Sequence, residues 1–380
     1  MTRPAPRART GSATAATSAA LVAAMLPFAA VAHGSQPSSL GAKACRTARG
    51  PFHVTGTKVI GAHGRVFVPY GITVPGLGNS KYRPFIPLDD AKIRATARSW
   101  CANTVRLQIG QANLVGANGR GFSRRFLAAV EGEVKVAEKS HLVVVLNAQT
   151  ENLGNQPAPT KATVLFWKDL SRVYRHDPQV IFDLFNQPRI STQVRCGNTQ
   201  DWRLWHTGGR FLGHSYVGMQ SLVRDVRVDG ARNLIWVEGP CFANSLSKLG
   251  SHLIKGRNIV YAFEHPHGTH DAAQWYADFG WVVFRHIGPV VDAEWTNYAA
   301  AKSECWPDAP KAVPAFLRYL ARRGIGLTGY QLKKGLLIRT ANLADPTRIN
   351  TSGRRKWRCA NGLDEGVGAD LMNWFRHQNS

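Results

Sequence analysis

The chain has 380 residues, 44% of them hydrophobic and 19% charged, with 36 Gly and 20 Pro. That composition excludes disorder, collagen and coiled coil, and it can fill one large core or two ordinary ones. Lys and Arg number 48 against 24 Asp and Glu, a formal charge of +24, which implies a strongly basic surface with some attraction for polyanions.

The N-terminus carries Arg3, Arg7 and Arg9, then an apolar stretch from Ala19 to Ala30, then Ala30-Val31-Ala32. A positive segment, an apolar segment and an A-x-A site together predict a secretory signal peptide over residues 1–32, cleaved after Ala32. A membrane anchor is the alternative, but the apolar run is short and rich in Ala. No other segment is apolar and long enough to span a bilayer, so an extracellular protein that is not integral to a membrane is expected. Residues 33–50 read as a linker, and 51–380 as one domain.

Phe52 to Tyr70 reads as a β-hairpin turning at Ala62-His63-Gly64. Beyond it come eight apolar, β-branched segments: 68–73, 104–109, 142–146, 180–185, 234–237, 259–263, 289–293 and 325–330. Between them lie segments of helical period at 89–100, 122–140, 160–174, 216–228, 271–283 and 309–323, with a last one at 367–377. The strands are continuously apolar, as parallel strands buried on both faces must be. Eight strands alternating with helices predict an α/β fold, a (β/α)8 TIM barrel with a short N-terminal β-hairpin. An open doubly wound sheet is the rival, but no G-x-G-x-x-G follows the first strand.

Six cysteines, Cys45, Cys101, Cys196, Cys241, Cys305 and Cys359, all follow Ala32. Export permits three disulfides, and the sequence leaves their pairing open. No C-x-x-C pair exists. The densest basic triplet is Arg354-Arg355-Lys356, and no nucleic-acid-binding motif accompanies it. No G-x-S-x-G elbow and no P-loop are present. His265, His267 and His270 lack a carboxylate at a usual metal-ligand spacing, so substrate contact or plain loop is favoured over a metal site. No cofactor and no metal are expected, and the protein is expected to act as a monomer on carbohydrate.

In such a barrel the chemistry sits where strands end. Those ends carry Arg106 (NTVRL), Asn147, Gln149 and Glu151 (LNAQTE), Asn186 and Gln187 (FNQP), Glu238 (WVEGP), Glu264, His265 and His267 (EHPHG), Glu294 and Trp295 (VVDAEW) and Tyr330 (TGYQL). Carboxylates, amides, imidazoles and aromatic rings on one rim suit a glycan site. Trp202, Trp205, Trp295, Tyr298 and Trp306 are candidates for stacking on sugars.

These motifs, in this order, resemble glycoside hydrolase family 5, the cellulase-like barrels of the 4/7 superfamily, over roughly Pro51 to Phe375. The resemblance implies a retaining hydrolase of β-linked glycans with Glu294 as nucleophile, Arg106 as its support, and Asn186 on the sugar 2-hydroxyl. It makes His265, His267, Trp295 and Tyr330 substrate contacts. The departure lies in FNQP, where the family has Asn-Glu-Pro: Gln187 stands at the acid/base position. Three lesser departures point the same way. The family's His after the third strand falls near Gln149, its Tyr at the sixth is His267, and its Trp at the eighth is Tyr330.

A retaining glycosidase uses two carboxyl groups about 5–5.5 Å apart. An amide can hydrogen-bond the glycosidic oxygen but cannot yield a proton, and losing that help costs roughly 10²–10⁴ in rate. Three readings follow: a working hydrolase with a relocated acid (Glu264, Glu238 or Glu151), a pseudo-glycosidase that binds glycan without cutting, and an enzyme confined to activated substrates.

Overall fold

The computed structural model describes residues 45–78, 88–116, 119–149, 157–193, 196–211, 213–264, 271–296, 309–334, 336–346 and 367–380. The segments expected to be a signal peptide and most of a linker therefore lie outside the described residues, as do Glu151, His265, His267, His270, Tyr298, Trp306, Cys305 and Cys359.

The first strands are β1 (His53–Thr55), β2 (Lys58–Ile60) and β3 (Val66–Phe67), followed by β4 (Tyr70–Val74). Next come α1 (Asp90–Arg98), β5 (Thr104–Gly110), α2 (Gln111–Val115), α3 (Arg124–Lys139), β6 (Val143–Gln149), α4 (Lys161–Tyr174) and β7 (Val180–Asp183). An excursion follows: α5 (Thr199–Thr207), β8 (Gly208–Phe211) and β9 (His214–Val217). The barrel resumes with α6 (Met219–Val228), β10 (Ile235–Glu238), β11 (Ile259–Glu264), α7 (Ala272–Trp275), α8 (Trp281–Phe284), β12 (Val290–Trp295), α9 (Ala309–Ala321), β13 (Gly326–Tyr330) and α10 (Gly368–Gln378).

Strands β4, β5, β6, β7, β10, β11, β12 and β13 pair in that order and close on one another, all parallel. This is the expected (β/α)8 barrel, with each of the eight apolar segments supplying one strand. Alternation along the strands sorts their side chains. Val144, Leu146, Phe182, Val237, Tyr261 and Phe263 face outward into a core shared with helix residues such as Val130, Phe166 and Phe316. Val143, Val145, Ile181, Trp236, Val260, Ala262, Val291 and Ala293 fill the interior.

Two expectations need correction. The N-terminal hairpin is a three-stranded antiparallel sheet, because Gly56, at φ +58°, makes a second turn between β1 and β2. Phe52, Val59 and Phe67 from this segment pack onto the interior residues and close the barrel's N-terminal end. The helix expected over 271–283 is split by a π turn at Tyr276–Gly280. There Gly280 lies under Tyr319, and a Cβ would meet the phenol oxygen at 2.0 Å.

Residues 45–50, read as the end of the linker, are tied to the barrel by the Cys45–Cys101 disulfide and by Arg46 N–H donating to the Asn379 carbonyl at 2.7 Å. A second disulfide, Cys196–Cys241, joins the segment after β7 to the loop after β10. It closes a loop of 45 residues. Chain entropy gives such a bridge about 4 kcal/mol of stability. The Cys196→Ser/Cys241→Ser variant is therefore expected to melt several degrees below the parent in calorimetry. An unchanged melting temperature would contradict that role.

Candidate active site

The inward face of each strand changes character near its C-terminal end. It runs Val143-Val145-Asn147-Gln149 on β6, Ile181-Asp183 on β7, Trp236-Glu238 on β10 and Val260-Ala262-Glu264 on β11, each at a spacing of two. The rim that sequence reasoning selected is thus a ring of polar side chains over a dry floor.

Arg106, on β5 and fully buried, is the hub of this ring. Its Nε donates to Asp183 Oδ2 at 2.8 Å and its Nη1 to Glu294 Oε2 at 2.7 Å. Its Nη2 donates to Asn186 Oδ1 at 2.8 Å, Glu238 Oε1 at 2.7 Å and Glu264 Oε1 at 3.2 Å. Five acceptors from the ends of four strands converge on one planar fork, a set that the compact ammonium of a lysine could not match. Asn147 adds a second donor to Asp183 Oδ2 at 3.0 Å.

Glu294 reaches the ring through a bulge. The pairing of β11 with β12 runs Phe263 opposite Asp292 and then Glu264 opposite Glu294, so β12 carries one extra residue. Ala293 and Glu294 consequently both turn inward, and the Ala293 carbonyl accepts from the Thr328 and Thr73 hydroxyls. Glu294 Oε2 also accepts from Gln108 Nε2 at 2.7 Å. Of the four carboxyl groups around Arg106 it is the most open, with 13% of its side chain exposed against at most 2% for the others.

The same bulge corrects the expectation for Trp295. It is turned outward, fully buried, and stacked on Phe316 of α9, so it builds the barrel wall rather than a platform for sugar. Trp202 and Trp205 are likewise buried, edge to face with each other, and Trp205 Nε1 donates to the Glu238 carbonyl at 2.7 Å. They dock α5 on the barrel. Tyr330 ends β13 half-buried at the rim, and Gln149 ends β6.

Gln187 follows Asn186 in left-handed backbone, at φ +50°, a conformation that costs a non-glycine residue of order 1–3 kcal/mol and tends to mark functional sites. Its backbone N–H donates to Glu238 Oε2 at 2.6 Å and its side-chain Nε2 to Glu264 Oε2 at 2.5 Å.

Four carboxyl groups around one cation cannot all be ionised without water. Burial pushes Glu264 well above the usual carboxylate range, Glu238 and Glu294 add to the shift, and Arg106 and Gln187 oppose it. Burial likewise raises Glu238, seconded by Asp183, and raises Asp183 against the pull of Arg106. Burial alone would lower Arg106, but the carboxyl groups, Asp183 foremost, hold it charged. Burial thus favours the neutral form of the enclosed carboxyl groups, and Glu294, the most open of the four, sits beside them under two donors.

Sequence reasoning named Arg106, Asn186, Gln187, Glu238, Glu264 and Glu294, and the fold brings all six together. It missed Gln108 and did not anticipate how Asn147 is used. The signal for Gln108 was available, since it stands two residues after Arg106 on a strand and must share its face. Among the described residues no group of His, Cys, Asp and Glu could hold a metal ion.

Residues 65–335 match the family described as Cellulase (glycosyl hydrolase family 5). The chain belongs to glycoside hydrolase family 5. As a family 5 member it is a glycoside hydrolase, and its barrel superposes on solved relatives at low identity. The β-glucanase SdGluc5_26A from Saccharophagus degradans, in complex with cellotetraose, is 18% identical, with 91% of this chain and 98% of that one covered at a TM-score of 0.64. The hyperthermophilic endocellulase from Pyrococcus horikoshii is 13% identical, with 88% and 100% covered at a TM-score of 0.58. The catalytic domain of Thermobifida fusca endoglucanase Cel5A is 14% identical, with 86% and 97% covered at a TM-score of 0.58. At these identities the likeness establishes the barrel.

Proposed function

We propose that this family 5 protein is a secreted, retaining hydrolase of β-linked glucan, with Glu294 as nucleophile. The observation that carries the reading is the Glu294 carboxylate. It is the most open of the four carboxyl groups on Arg106, and two donors at 2.7 Å, from Arg106 and Gln108, hold one of its oxygens in place. In this reading a Glu294 carboxylate oxygen attacks the anomeric carbon. Asn186, fixed by Arg106 and by Gln108 at 3.3 Å, offers its amide to the sugar 2-hydroxyl, and Tyr330 a ring face to the adjoining sugar. The β-glucanase and endocellulase relatives support β-glucan as the substrate class. Two disulfides and the N-terminal sequence pattern support export.

A glycan-binding protein without turnover is the second reading, favoured by Gln187. The two are separated by incubating the full-length protein with mixed-linkage β-glucan, cellulose oligomers, mannan and xylan, following products by proton NMR. The expected outcome is release from a β-glucan with the β-anomer appearing first. Binding to glucan by calorimetry with no product from any polymer would establish the second reading.

A further inference from the structure

One of the four acidic side chains on Arg106 is used by the reading above. Asp183 is occupied by Arg106 and Asn147, and Glu238 by Arg106 and the Gln187 backbone. Glu264 has the same kind of contacts but meets Gln187 at its side chain rather than its backbone. One of its oxygens accepts from Arg106, and the other lies 2.5 Å from the side-chain nitrogen of Gln187. Gln187 occupies the place from which the family's proton is expected, and its amide has no proton to give. Directly behind that amide, one hydrogen bond away, stands a carboxyl group. Strand pairing also sets Glu264 opposite Glu294.

We propose that Glu264 is the proton donor and acceptor of this hydrolase, and that Gln187 is a positioning residue that fixes the Glu264 carboxyl through its side-chain amide. The proposal rests on the reading that Glu294 is the nucleophile. In the first step a Glu294 oxygen bonds to the anomeric carbon. The glycosidic C–O bond breaks, its electron pair stays on the leaving oxygen, and that oxygen takes the proton of Glu264. In the second step water bonds to the same carbon and passes a proton to the Glu264 carboxylate, and the bond to Glu294 breaks. Both side chains return to their starting states, and the sum is hydrolysis.

In this role the proton passes the amide by way of one bridging water, a route that general acid catalysis permits. The surroundings favour the protonated form that this role requires. Glu264 faces Arg106 from β5, Glu238 from β10, Glu294 from β12 and Gln187 after β7, with Asp183 beyond Arg106. Among these groups only Arg106 and the Gln187 amide favour its ionised form, and burial outweighs both.

The test compares wild type, Glu264→Gln and Gln187→Glu on β-glucan and on aryl β-cellobiosides whose leaving groups are 2,4-dinitrophenol or phenol, with and without sodium azide. For Glu264→Gln, kcat/KM on β-glucan and on the phenyl glycoside is expected to fall 10²–10⁴-fold. The dinitrophenyl glycoside should still form the glycosyl-enzyme, azide should restore its turnover as the glycosyl azide, and the alkaline limb of the pH profile should vanish. Gln187→Glu should move that limb to higher pH, because two carboxyl groups in contact hold their shared proton more tightly.

Three results would overturn the proposal. Folded Glu264→Gln could cut β-glucan within threefold of wild type. Its losses could be equal for all leaving groups and unmoved by azide, the mark of a merely structural side chain. Gln187→Glu could gain 10²–10⁴-fold on poor leaving groups, which would show that wild type lacks an acid; this arm stands even if Glu264→Gln fails to fold. Failure of the parent reading looks different, since wild type would then not release dinitrophenol either.

Discussion

Arg106→Met is expected to be the most disruptive single substitution in the barrel, at a loss of about 3–5 kcal/mol, because it leaves buried carboxyl groups with no countercharge. The side chain is buried, and Asp183, Glu238, Glu264 and Glu294 all rely on its donors. The loss should grow with pH. In the folded wild type, burial raises Asp183, Glu238 and Glu264, so the native state holds protons that the unfolded chain releases above the ordinary carboxylate range. Stability from that source is present at acid pH and declines as pH rises through the folded values. Without Arg106 the neutral donors of Asn147, Gln108 and Gln187 are left to oppose repulsion between ionised groups, and the decline steepens. Urea unfolding at pH 5 and pH 8 reads this directly, as a gap between wild type and variant that is wider at pH 8. A variant matching wild type at pH 8 would mean that the ring is not held by Arg106. Arg106→Lys is expected to recover only part of the stability and none of the five-way alignment.

Glu294→Gln is expected to separate function from folding. The amide is nearly isosteric, keeps an acceptor for Arg106 and Gln108, and removes one negative charge from a ring with a single cation. The variant should melt at or above the wild-type temperature while losing on the order of 10⁴-fold or more in kcat, since no bond to the anomeric carbon can form. Stability that improves as activity disappears is the mark of a site built under electrostatic strain. A variant with melting unchanged and activity within tenfold of wild type would remove Glu294 from the chemistry.

The barrel was legible because its strands are buried on both faces, so each announces itself as an unbroken apolar run flanked by helical periodicity. The ring was legible because a polar residue ending such a run points inward at the rim. What escaped has identifiable causes. The three-stranded N-terminal sheet depends on a turn at Gly56 inside a stretch that also reads as one strand. The excursion of α5, β8 and β9 lies between barrel elements, and neither strand exceeds four residues. Trp295 was misplaced because period-two counting assumes a regular strand, whereas the β12 bulge turns two successive residues inward and sends the next one outward. Trp202 and Trp205 look like sugar platforms in sequence and are docking residues in the fold, because burial of an indole depends on tertiary neighbours. The contact between Gln187 and Glu264 joins residues far apart in the chain, and no local pattern encodes it.

The most direct measurement is covalent trapping. The full-length protein is treated with 2,4-dinitrophenyl 2-deoxy-2-fluoro-β-cellobioside, whose leaving group needs no proton, so the outcome does not depend on Gln187 or Glu264. Peptide mass spectrometry is expected to find one fluoroglycosyl group, attached to Glu294. A label on another carboxyl group, or stoichiometric dinitrophenol release without a label, would contradict Glu294 as the nucleophile of this site.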